Sequence, residues 1–232
     1  MISALGLKRQ TEFMAGIKAE LPILIGVAPF GMIYGVLALG AGITPGAAQA
    51  MSAVVFAGSA QFVSAQLVGS GAPGLVIVLT VGIVNLRHAL YSASMAPYLK
   101  PLRPAWKYLL AYLLTDEAYA VSILHYQRGE NSPHKNWFFL GAGLALWTTW
   151  QLSTAAGVFL GAVIPASWSL DFTLALTFIA LVVPAIEDRA SLVAALCAGV
   201  AAVAAYGLPF RLGLVAASLV GILAGLWLER GP

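Results

Sequence analysis

Apolar residues in this chain fall in runs long enough to cross a bilayer, and they do so repeatedly. A run of about 20 apolar residues already marks a membrane helix. Eight apolar segments follow one another here, at roughly 21–41, 47–69, 74–99, 105–126, 136–163, 168–186, 190–206 and 210–228. Only 9% of the 232 residues are charged, against about 25% in an ordinary soluble domain. That scarcity excludes a soluble enzyme and a disordered chain. The single cysteine, Cys197, leaves no internal disulfide to staple a secreted scaffold. The runs are continuous rather than alternating, which selects helices over a barrel. The fold class expected is all-α: a polytopic membrane helix bundle of seven or eight segments, forming one domain over residues 1–232.

Turn residues separate the segments: Thr44-Pro45-Gly46, Gly69 to Gly74, Pro101 with Pro104, Asn131-Ser132-Pro133, Pro165, and Gly207 to Pro209. Residues 1–20 lack the 7–15-residue apolar core of a signal peptide. Lys8, Arg9, Glu12 and Lys18 alternate there with Leu7, Phe13, Met14 and Ile17, the pattern of a lead-in lying on the membrane surface. Gly31/Gly35, Gly157/Gly161 and Gly221/Gly225 are GxxxG pairs, which let membrane helices approach closely. Gly35-Val36 recurs 122 positions later as Gly157-Val158, and Phe56 recurs at the same spacing as Phe178. This is the trace of a possible internal repeat, a common device in transporters.

Lys8, Arg9 and Lys18 favour a cytoplasmic N-terminus. With eight full spans, the inside connections hold seven basic residues and the outside ones four. If the second segment dips in and returns, later loops change sides, and the count is again seven against four. The charge rule does not choose between seven and eight spans.

Polar groups and helix breakers recur near mid-segment. The first segment places Pro29-Phe30-Gly31 there. The second places Gly58-Ser59-Ala60-Gln61, the third Asn85-Leu86-Arg87-His88, the fourth Thr115-Asp116-Glu117, and the fifth Thr148-Thr149-Trp150-Gln151. A lone Pro or Gln there is usually a kink or an interhelical bond. Ionisable residues are different, because a charge at the centre of a span costs roughly 2.5–3.5 kcal/mol unless paired, hydrated or used. At 100° per residue, Asn85, His88 and Ser92 share one face of the third helix, and Arg87, Tyr91 and Ser94 a nearly opposite one. Tyr112, Asp116 and Tyr119 form one stripe on the fourth, from which Glu117 points away. The expected pairing is Arg87 with Asp116. Ala57 to Gln61 reads as a break in the second helix, whose exposed N-terminus holds anions. Pro29-Phe30-Gly31 is a candidate second break.

The three histidines, His88, His125 and His134, lack metal-ligand spacing, and there is no GxxxxGK[ST] loop. No cofactor, nucleic acid or catalytic triad is expected, and the chain is not read as an enzyme.

Together, Pro29-Phe30-Gly31 through Gly35, Phe56-Ala57-Gly58-Ser59-Ala60-Gln61-Phe62, Asn85-Leu86-Arg87-His88 and Thr115-Asp116-Glu117 resemble the AzlC family. The resemblance is strongest over residues 12–130. It implies the large subunit of a bacterial branched-chain amino acid exporter in the inner membrane, driven by the proton gradient and needing a small AzlD-type membrane partner. The residues themselves suggest a midplane site. The substrate carboxylate would lie against Gly58, Ser59 and Gln61 near Arg87, and its ammonium at Asp116, with Asn85 and Tyr91 or Tyr119 assisting. Phe30, Phe56 and Phe62 would take the side chain, and Glu117 or His88 a coupling proton. A channel or uniporter for another small solute, or a non-transporting assembly subunit, is the competing reading.

Overall fold

The computed structural model describes residues 2–127, 134–162, 186, 188–208 and 212–229. The sixth apolar segment, the turns at Asn131-Ser132-Pro133 and Pro165, and Phe178 lie outside the described residues. All regular structure within them is helical. The helices are α1 (Ile2–Gly40), α2 (Pro45–Val55), α3 (Gly58–Gly69), α4 (Gly74–Val84), α5 (Arg87–Leu99), α6 (Pro104–Tyr112), α7 (Asp116–Gln127), α8 (Lys135–Gly161), α9 (Arg189–Ala204) and α10 (Leu212–Glu229). They divide into two compact units: Met1–Gln66 with Val81–Ile164, and Leu67–Thr80 with Pro165–Pro232.

The first unit is built on α1 against α8. Gly16 lies against the backbone of Phe138 and Ala142, Gly31 against Ser153, Gly35 against Thr154 and Val158, and Gly161 against Val36 and Leu39. A methyl group on Gly157 would run into the carbonyl of Met32. Two of the predicted GxxxG pairs therefore face each other across this seam. Contact positions rise together along both helices, so α1 and α8 run parallel. Their offset is close to the 122 residues that separate Gly35-Val36 from Gly157-Val158.

This packing overrides the break expected at Pro29-Phe30-Gly31, because α1 continues through both Pro22 and Pro29. A proline removes one backbone donor and crowds the preceding turn. Gly31 and Gly35, clamped against α8, hold the axis across it. No interruption falls at residue 20 either: residues 2–20, expected as a surface lead-in, are the first half of the same helix.

Segments two and four each fold back instead of crossing. In the fourth, Trp106 of α6 packs on Trp137 of α8 with ring centroids 5.2 Å apart. The hydroxyl of Tyr126, near the end of α7, donates to the Lys135 carbonyl at 2.9 Å. Both ends of the segment thus meet the same end of α8, whereas a straight helix would hold Trp106 and Tyr126 about 30 Å apart. The turn is Leu113-Leu114-Thr115, where Leu113 packs under Gly143. The expected full span at 105–126 is therefore a re-entrant hairpin, α6 running with α8 and α7 against it. In the second segment, Tyr34 donates to the Ala48 carbonyl at 3.0 Å and packs edge-on against Phe62 at 6.0 Å. One Tyr34 side chain thus reaches both positions 48 and 62, which a straight helix would hold about 21 Å apart, so α2 and α3 also form a hairpin. Phe56, at φ 40° and ψ 49°, closes α2 in the left-handed region, which a Phe adopts only when its surroundings hold it there.

The tips are buried, so their freed backbone groups need partners. Gln151 donates to the Ser52 carbonyl at 3.1 Å, and Tyr112 donates to that of Ala53. Both carbonyls belong to the last turn of α2. Gln49 donates to Gln151 at 2.8 Å, and Ser52 meets Thr154 at 3.0 Å. The mid-span Gln151 is a structural bond to a neighbouring helix.

Basic and aromatic residues collect at one end of this unit. Arg9 stands over Trp137, and Lys135 over Tyr98 and Tyr126. Lys100 and Arg103 lie on the connection from α5 to α6, and Lys107 in the first turn of α6, at the same end. The connection 41–44 at the other end carries no charge. With the two hairpins in place these basic residues gather at one end, the end that the positive-inside rule assigns to the cytoplasm. Ile25, Leu90, Leu152 and Phe159 stand exposed on the unit's surface, as lipid-facing side chains do. Arg9–Gly40, Gly74–Leu99 and Leu212–Glu229 are each long and apolar enough to span.

In the second unit, α9 and α10 pack antiparallel through a seam of small residues. Gly213 meets Ala205, Gly221 meets Ala198 and Ala194, and Gly225 meets Ala194. Asp188 caps α9 by accepting from the Ser191 amide at 2.6 Å. That bond holds its carboxyl below the usual carboxylate range.

In a Cys197→Ser background, Arg103→Cys and Gln127→Cys are expected to react with a membrane-impermeant thiol reagent from the cytoplasmic face, and Gly46→Cys from the opposite face. Labelling of positions 103 and 127 from opposite faces would mean that the fourth segment crosses.

Candidate functional site

Three helix N-termini meet inside the first unit. α3 begins at Gly58, α5 at Arg87 and α7 at Asp116. The starts of α3 and α7 present backbone N–H groups without intrahelical acceptors and the positive end of a dipole, whereas the first amides of α5 bond back to Asn85 and Leu86. Arg87 joins them. Its Nη2 donates to Ser59 Oγ at 2.7 Å, and its Nη1 pairs with Asp116 Oδ2. One guanidinium fork thus binds the tips of both re-entrant hairpins, a two-armed role that suits Arg and not Lys.

The local sequence explains each placement. The αL turn at Phe56 frees Gly58 to start α3, and Gly58 sits against the Trp150 ring, where a Cβ would come within 3.0 Å of the indole. Asn85 and Leu86 pass from α4 into α5 through tighter backbone bonds, His88 N to Asn85 O and Ala89 N to Leu86 O, both 3.0 Å. Thr115 caps α7 by accepting from the Ala118 amide at 3.3 Å, which puts Asp116 and Glu117 in the first turn, where the dipole favours acids.

The faces read from helical phase hold for Arg87, Tyr91 and Ser94 against Asp116 and Tyr119, but the break at 113–115 takes Tyr112 off that stripe and onto α6. Arg87 meets Asp116, Tyr91 stacks on Tyr119 at 4.6 Å, and Tyr119 donates to Ser94 at 2.9 Å. His88 lies on the other side, its Nδ1 on the Asn85 carbonyl at 3.2 Å and its ring 5.9 Å from Tyr91. Glu117 follows Asp116 in the first turn of α7, one helical step off the Asp116 stripe, and its charge acts on Glu20 of α1.

The aromatic residues fall into two groups. Phe30 packs on Phe62 at 4.6 Å and near Trp150 at 6.4 Å, and Tyr34 stacks on Trp150 at 6.2 Å. Phe56 packs on Tyr112 at 6.0 Å. Gln61 is fully buried and accepts from Trp150 Nε1 at 3.1 Å. Trp147 donates to the Tyr112 hydroxyl at 2.7 Å. Trp150 was read from sequence only as part of the mid-segment run Thr148 to Gln151, and Trp147 was not singled out, since a tryptophan in an apolar run reads first as core.

Several polar atoms here are buried without a protein partner: Asp116 Oδ1, Arg87 Nε, Asn85 Oδ1 and Gln61 Nε2. They comprise two acceptors and two donors, beside N-termini that attract anions and a carboxylate that attracts cations. A molecule carrying both a carboxylate and an ammonium matches that set. Arg87 and Asp116 keep 28% and 40% of their side-chain surface accessible, although the unpartnered atoms themselves are buried. The apolar cleft of about 610 Å³ lined by Met95, Leu110, Leu114 and Phe139 contains none of these groups.

The AzlC protein family matches residues 22–164, which takes in both hairpins and the Arg87 bridge. The chain belongs to the AzlC family. AzlC is a membrane transport family, and relatives over nearly the full chain carry membrane names. The inner membrane protein YgaZ of Escherichia coli K12 is 28% identical, covering 93% of this chain and 91% of its own. An uncharacterised membrane protein of Archaeoglobus fulgidus is 31% identical, covering 95% and 97%. The branched-chain amino acid transport protein AzlC of Bacillus subtilis is 28% identical, covering 72% of this chain and 65% of its own. No solved structure matches.

Arg87→Lys keeps the charge and loses the fork. It is expected to destabilise the detergent-solubilised protein by about 1–3 kcal/mol, between the values for exposed and buried pairs, and Ser59→Ala by about 1 kcal/mol. An unchanged thermal midpoint for Arg87→Lys would show that the hairpin tips do not depend on the fork.

Proposed function

We propose that this AzlC protein exports valine, leucine and isoleucine, driven by the proton gradient and working with a small AzlD-type partner. The observation that carries the reading is the set of unpartnered donors and acceptors where three helix N-termini meet. The substrate carboxylate takes Arg87 Nε and the free amides at Gly58 and Ser59. The ammonium takes Asp116 Oδ1, with Asn85 Oδ1 beside it. The branched side chain lies against Phe30 and Phe62, while Phe56, first expected beside them, packs apart on Tyr112. The name of the Bacillus subtilis relative supports the substrate class, and the family resemblance supports the partner.

Alternating access follows from the bridge. A substrate whose two charges replace the mutual contact of Arg87 and Asp116 loosens the link between hairpin tips. It thereby favours whichever state its own contacts fit better, which is all a ligand can do to a conformational equilibrium. Glu117 and His88, next to these groups in sequence, are the proposed carriers of the coupling proton.

L-valine is expected to raise the thermal midpoint of the purified chain, whereas isovalerate (no ammonium) and isobutylamine (no carboxylate) do not. Asp116→Asn and Arg87→Gln are expected to remove that stabilisation and to slow valine efflux at least about tenfold, the equivalent of about 1.4 kcal/mol. Normal valine efflux by both folded variants would overturn the site.

A further inference from the structure

We infer that Glu20 of α1 is a proton-binding carboxyl of this transporter, paired with Glu117 and opening towards the cytoplasm through Glu12 and His125. The coupling role rests on the export reading above; the proton-binding role does not.

Glu20 is fully buried, and neither carboxyl oxygen has a hydrogen-bond partner. Ionisable side chains inside a membrane bundle are costly and mark ion or substrate pathways. An acidic residue buried with both acceptors open is therefore built to bind a cation. Helices α2, α7 and α8 pack on α1. α8 offers only uncharged residues from Asn136 to Gly161, and α2 has no charged residue. α7 brings Glu117, the charged group acting on Glu20, and Glu117 in turn feels Asp116 and Arg87. Among the described residues no cluster of three acidic or histidine side chains forms. That is too few oxygens for the shell of a hard metal ion, while a proton needs only one.

The helix register supplies the route. α1 and α7 run antiparallel, with Glu12 against His125 at 3.2 Å. Eight residues further along α1 is Glu20, and eight residues back along α7 is Glu117, a displacement of about 12 Å on each helix. The Glu12–His125 pair lies at the cytoplasmic end, where His125 stacks on Phe138 at 3.8 Å. The acidic chain thus runs from the Arg87–Asp116 bridge through Glu117 and Glu20 to Glu12 and His125. A proton taken by Glu117 or Glu20 leaves along it to the cytoplasm as the amino acid leaves the other way.

The test is an infrared pH titration of the purified full chain in liposomes, combined with the pH profile of valine efflux. Wild type is expected to show a titrating carboxylic-acid C=O band that Glu20→Gln loses. Glu117→Gln is expected to keep that band with a shifted midpoint, and a Glu20→Gln variant that folds is expected to lose the pH dependence of efflux. If Glu20→Gln does not fold, the Glu117→Gln titration decides alone, and an unshifted midpoint overturns the pairing. A full set of bands in Glu20→Gln, an unchanged pH profile, or a band answering to sodium instead of pH would each overturn the inference. If wild type moves no valine, the export reading falls, while the infrared arm still decides whether Glu20 binds a proton.

Discussion

A bilayer core supplies no water to a broken helix, so each interruption inside this bundle depends on protein groups to satisfy it. The interruptions at Phe56-Ala57, Asn85-Leu86 and Leu113 to Thr115 converge, and Arg87 ties two of the resulting helix starts together. Side chains complete the accounting: Gln151 and Tyr112 take the last carbonyls of α2, and Thr115 takes an amide of α7. The parallel glycine seam of α1 and α8 is the frame against which both hairpins rest. Without the Arg87 bridge, two helix tips and a carboxylate would face one another with no cation between them.

The same geometry makes the centre suited to an amino acid zwitterion. Helix N-termini and Arg87 concentrate positive potential beside Asp116, so the two charge signs sit within one substrate length. A zwitterion introduces no net charge and can take over contacts that Arg87 and Asp116 make with each other. Binding and loosening are then one event, which links the site to movement of the hairpins.

Much of this was legible in the sequence, because helical phase survives in any helix. The phase of Arg87, Tyr91 and Ser94 against Asp116 and Tyr119 led directly to the observed contacts, whereas Tyr112, expected on the same stripe, lies across the break on α6 and meets Ala53, Phe56 and Trp147. The break at Gly58 was legible because glycine and serine there weaken the helix locally. Fold-back was weighed for the second segment but not read for the fourth: an apolar run of hairpin length has the composition of a span, and only packing of Trp106 and Tyr126 on the same end of α8 separates the two. The charge rule failed for the same reason, since it depended on which segments cross. Pro29 misled because tertiary packing outweighed a local breaker. Glu20 was passed over because it stands at the edge of an apolar run, where an acid reads as surface; its burial comes from the length of α1, which carries it up against α7 and α8.

The central claim is that the substrate carboxylate lies on the guanidinium that joins the hairpin tips. Solid-state NMR with valine labelled at its carboxyl carbon and arginine labelled at its guanidinium nitrogens measures that contact directly. The expected result is a dipolar coupling of direct contact between bound valine and one arginine, absent in Arg87→Gln. Bound valine with no coupling to Arg87 would contradict the account.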